Sequence, residues 1–134
     1  MLAAAALLHP AILLRKGNPM SWGTRLAVVL TAGAVVLAFA SGVWIYPAYV
    51  ASVRVPLFLK SEHTGLLFET KEHIAFAVMA LALGASACAW FAPTRARGLR
   101  RAAAVGFALG AALCLVTAAL GTWVAAVHGF GSAR

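Results

Sequence analysis

The segment AAAVGFALGAALCLVTAALGTWVAAV, residues 102–127, runs for 26 residues without a charged side chain. A helix needs about 20 such residues to cross a hydrocarbon core of about 30 Å. A helix on the surface of a water-soluble protein carries a polar face, and this segment has none. Two further stretches repeat the pattern: residues 26–46 give 21 uncharged positions and residues 74–92 give 19. Each reads as a transmembrane helix.

The rest of the chain agrees. Of its 134 residues 63% are hydrophobic and 10% charged, and its mean hydropathy is +0.93. Soluble domains carry roughly 25% charged residues, so the apolar surface of this chain faces lipid. A fourth apolar stretch, residues 2–14, has 13 residues interrupted by His9-Pro10. It reads as a short, tilted or interfacial helix, with a cleaved leader as the alternative. Because Arg15 and Lys16 follow the apolar run instead of preceding it, retention is the preferred reading. The expected architecture is an all-α transmembrane bundle in one domain, with helices over 2–14, 25–46, 65–92 and 99–127 and an outer loop over 47–64.

Charge sets orientation. Seven of the eleven bases (Arg15, Lys16, Arg25, Arg95, Arg97, Arg100 and Arg101) fall in two connections on one side of the membrane. By the positive-inside rule those connections are cytoplasmic, and the 47–64 loop and the C-terminus are outside. The expected location is a bacterial inner membrane. Trp22, Trp90 and Phe91 mark one boundary, and Trp44, Tyr46, Tyr49 and Trp123 the other. The net charge of +8 comes from clusters at segment ends, not from a basic helix face, so the partner is the lipid bilayer and not nucleic acid.

Two stripes of small residues suggest close helix approach: Gly106, Gly110, Cys114, Thr117 and Gly121 in the last span, and Ala77, Ala80, Gly84 and Cys88 in the one before. They are expected to pack on each other, or else on other membrane subunits. His9, inside an apolar segment, reads as a helix-packing donor or a functional residue.

Chemistry concentrates between Tyr46 and Phe76. All three acids lie within eleven residues, and two directly precede a histidine, as Glu62-His63 and Glu72-His73. Pro47 and Pro56 are expected to keep the loop extended or turned, and Thr64 to cap the following helix. On that helix Glu69, Glu72, His73 and Phe76 share a face. Three readings follow. The polar groups are interfacial, with Glu69 and Glu72 pairing with Arg54, Lys60 or Lys71. Alternatively His73 and His128 are axial ligands of a b-type haem, although counting along the helices offsets them by about 10 Å. Or His63, Glu69, Glu72 and His73 bind a metal ion. The chain contains no aspartate and no phosphate-binding loop, which excludes a Ser/His/Asp triad and a nucleotide-driven pump.

His9-Pro10 near the start and His128-Gly129-Phe130-Gly131 near the end resemble the opening and closing signatures of an uncharacterised family of small bacterial four-helix inner-membrane proteins. The resemblance implies b-type haem or redox association. The chain departs from the pattern in lacking a second histidine soon after the first, and in carrying Tyr46-Pro47-Ala48-Tyr49 where an acidic residue is expected. The leading expectation is a small subunit of an electron-transfer system that binds or neighbours a haem near the outer face. The alternatives are a non-redox accessory subunit, or a metal-binding or small-solute transport protein using the Glu/His cluster.

Overall fold

The computed structural model describes residues 2–128, with the side chains at 53, 56, 57, 60, 127 and 128 outside the description. Five helices follow one another: α1 Leu2–Leu14, α2 Trp22–Tyr49, α3 Val55–Lys60, α4 Glu62–Phe91 and α5 Arg97–His128. A π-helical segment, Val50–Arg54, joins α2 to α3. Helices α2, α4 and α5 are long and apolar enough to cross a membrane, and α1 is a shorter apolar helix. The protein is a small integral membrane protein with an all-α bundle fold.

Local chemistry sets the helix starts. Ser21 is extended, and its Oγ accepts from the Thr24 amide at 3.2 Å, so α2 begins at Trp22 and not near 25. Ser61 plays the same part for α4, accepting from the Thr64 amide at 3.4 Å. The expected cap, Thr64, therefore sits three residues inside the helix. The expected loop over 47–64 is almost entirely helical. Pro47 and Pro56 each remove an amide donor, and with a π turn between them the chain stays helical through an irregularity instead of breaking. There the Val50 amide reaches the carbonyls of both Pro47 and Tyr46.

The four long or core elements close a ring: α4 packs most extensively on α5, α5 on α1, α1 on α2, and α2 on α4. The core is built largely of alanine, with Phe107, Leu7, Leu14 and Val28 as its large members. The two last spans pack closely, as the small residues suggest: a Cβ on Gly106 would lie 3.1 Å from the Ala85 Cβ. The face of α4 is different from the expected one. Val78, Ala82, Ala85 and Ala89 are buried, while Ala77, Ala80, Gly84 and Cys88 point outward. Both faces of α4 carry small residues at helical spacing, so residue size alone does not select between them. Gly110 meets Leu7 of α1, and Cys114, Thr117 and Gly121 border a groove.

At the arginine end, one expected surface base is a structural bolt. Arg100 is 1% exposed and donates to the carbonyls of Gly17 at 3.0 Å and of Pro93 and Thr94 at 2.7 Å each. It ties both connections to α5 and supplies the donors their backbone lacks. Gly17 has φ +68°, and a Cβ there would lie 2.8 Å from the Arg97 carbonyl, so the turn needs glycine on both counts.

Helix α1 shows the same accounting. Pro10 removes the amide that would bond the Ala6 carbonyl. Thr31 of α2, buried in the contact, donates its hydroxyl to that carbonyl at 2.9 Å. His9 does not pack between helices; it lies on the exposed side of α1 beside the buried Pro10. Replacing Thr31 with Val should lower unfolding free energy in detergent by about 1 to 2 kcal/mol. In a Pro10→Ala background the same change should cost roughly half as much or less, because position 10 then supplies the missing amide. Equal costs in the two backgrounds would show that the bond is not compensating for the proline.

Candidate functional site

The polar groups of the chain's middle meet at the end of the bundle opposite the arginines, where α2, the π segment and α3 form one arm of a hairpin and the start of α4 the other. Ser61 turns the chain between them. The tip closes tightly: a Cβ on Gly65 would lie 2.7 Å from the Phe58 ring, so only glycine lets that ring lie against α4.

Below the tip the arms are fastened twice. Arg54 of the π segment donates to the Glu69 carboxylate. That hydrogen bond, followed by the carboxylate's charge, raises the guanidinium pKa further above its ordinary value. Tyr49 stacks on Phe68 with ring centroids 4.3 Å apart and planes 15° apart. Phe39 and Phe76 meet edge to face at 4.9 Å, about two to three turns further into the bundle. Lys71 lies with its Nζ 4.6 Å from the centre of the Phe68 ring.

The expected site residues are partly gathered. The Arg54–Glu69 pair is the interfacial pairing anticipated for that acid. Glu72 is half-buried on the same helix, and His73 is exposed, with its Nδ1 2.8 Å from the Glu69 carbonyl one turn earlier. His63 is exposed near the tip, six residues or about 9 Å of helical rise from Glu69. Among the described residues no three His, Cys, Asp or Glu side chains come together in a group able to hold a metal ion. Cys88 and Cys114 are free thiols.

The haem pair can be tested on register. Gly106 lies against Ala85 in the antiparallel α4–α5 pair, which puts residues near 118 at the level of His73. The backbone of His128, whose side chain lies outside the described residues, ends α5 about 15 Å further on. His73 itself is exposed.

Sequence reading missed the Tyr49–Phe68 stack and the position of Lys71. The second had a signal: positions 71, 75, 78, 82, 85 and 89 continue one spacing of four and three, so Lys71 lies on the packed face of α4. The stack had none, since it depends on the helix continuing beyond Pro47. As a clamp, the ring stack should outweigh the ion pair, because exposed pairs contribute little. Phe68→Ala should cost about 2 kcal/mol of stability in detergent, whereas Arg54→Ala should leave the thermal midpoint within error.

Comparison with protein-family models, with curated proteins and with solved structures returns no match. The chemistry of these residues therefore carries the functional reading by itself.

Proposed function

We propose that this chain is a small accessory subunit of a complex in a bacterial inner membrane, with the arginine end in the cytoplasm and the hairpin as its docking element outside. The distribution of bases supports the orientation. What carries the docking role is the form of the hairpin. From Tyr46 to Lys60 the chain stays helical over about 21 Å, through a region whose charges at Arg54, Lys60, Glu62 and Glu69 keep it out of hydrocarbon. Yet Val55 and Leu59, one turn apart on one side of that arm, are 60% and 83% exposed, and Leu66 on the other arm is 51% exposed. Apolar side chains held rigidly in water mark a surface that a partner covers.

A photo-crosslinking residue at position 59 should give an adduct of fixed mass in native membranes. One at Leu37, on the lipid-facing side of α2, should give none. Val55→Asp combined with Leu59→Asp should abolish the adduct while helicity is retained. A position-59 probe that captures no protein at any expression level would end the docking reading.

The redox reading survives in the form of a chain that neighbours a haem held by a partner. One observation favours it. With Nδ1 of His73 engaged by the Glu69 carbonyl, Nε2 is the nitrogen left for an outside group. A complex purified intact from native membranes should then show a Soret band that shifts on reduction, and His73→Ala should alter that spectrum. A colourless intact complex, from cells with ample haem, leaves the non-redox reading alone.

A further inference from the structure

We propose that the outward half of the bundle holds one anionic phospholipid, its acyl chain in the groove between α2, α4 and α5 and its phosphate on Lys71. The groove has a volume of about 520 Å³ and is apolar, with Phe39 from α2, Ala75 and Val78 from α4, and Cys114 and Ala118 from α5 among its walls. Ala3, in the first turn of α1, closes its floor. The geometry has a simple origin. Helix α1 fills the fourth corner of the ring only at the arginine end, where Leu7 lies on Gly110; beyond Ala3 that corner is open between α2 and α5.

Two independent features specify the occupant. The first is length: along α5 the groove runs from Cys114 to Ala125, about 16 Å of helical rise, and the part below Lys71, which is level with Gly121, runs about 10 Å, room for the upper portion of one acyl chain. The second is charge. Lys71 is the cation of the groove wall, and its Nζ lies 3.4 Å from where a Gly121 Cβ would be. Among the described residues no carboxylate pairs with it. It sits level with the interfacial aromatics Tyr46, Tyr49 and Trp123, at the depth of lipid headgroups. An apolar slot with an ammonium group toward its outer end matches an acyl chain that ends in a phosphate. It does not match a neutral or cationic partner.

The test uses the full chain in nanodiscs of phosphatidylcholine with a minor share of phosphatidylglycerol, released for native mass spectrometry. One lipid should remain on each protein, with phosphatidylglycerol enriched about fivefold over its share in the disc, the effect of one basic residue near the surface. Lys71→Gln should remove the enrichment and keep the lipid. Ala118→Phe should remove the lipid itself; Ala75→Leu, a smaller filling change, replaces it if that variant loses its helicity. The proposal is overturned by a protein released without lipid, by enrichment that persists in Lys71→Gln, or by a dimer in which a second copy closes the groove.

Discussion

In hydrocarbon a peptide carbonyl that has lost its helical donor has no water to turn to, and each such group costs several kcal/mol. The architecture of this chain is a record of where that problem arises and what answers it. Pro10 opens the ladder of α1, and the hydroxyl of Thr31 closes it from the neighbouring helix. Pro47 interrupts the ladder of α2 near the outer boundary, where water is within reach, and a π turn follows a few residues later. Where the backbone leaves helix altogether, at Gly17 and at Pro93-Thr94, the guanidinium of Arg100 supplies three donors at once. The bonds from Thr31 and Arg100 are also tertiary contacts, so there backbone satisfaction and packing are achieved by the same residues.

The three spanning segments were legible because length without charge is a one-dimensional property. So was the Arg54–Glu69 pairing. Faces were harder. On α4, alanines and glycine occur on both sides, and the rotation that buries Ala82 and Ala85 is decided by α5, which a single helix does not encode. The region 47–64 was misread because proline is a strong signal for a break in water, whereas here the chain stays helical through a π segment. Serine took the cap from threonine at Ser61 for a related reason: two capping residues three apart both fit, and the extended backbone of the first decides. Of the candidate ligands, the local Glu69–His73 relation follows from helical spacing. The distance from His73 to the end of α5 depends on the register of two helices and was only roughly foreseen.

The two ends of the molecule divide their work. At the arginine end one base, Arg100, is turned inward and almost fully buried, while Arg25 lies exposed over the Trp90 ring at 5.8 Å. At the other end the polar groups are turned along the surface, as an ion pair, a stacked tyrosine and a lysine reaching over α5. The first arrangement holds the connections rigid. The second leaves side chains free to meet something that is not part of the chain, whether protein or lipid, and the apolar residues of the hairpin tip and the open corner beside α5 lie at that same end.

Helix α1 comes before α2, α4 and α5 in the chain, and its full seat includes the last of them. Its 13 residues offer too little apolar length to hold a position across the bilayer unaided, and its larger packing surface belongs to α5, at the far end of the chain. Thr31 can receive it early, but the wall formed by Gly110 is absent until the final span is made. A chain cut short before α5 would therefore leave α1 packed on α2 alone.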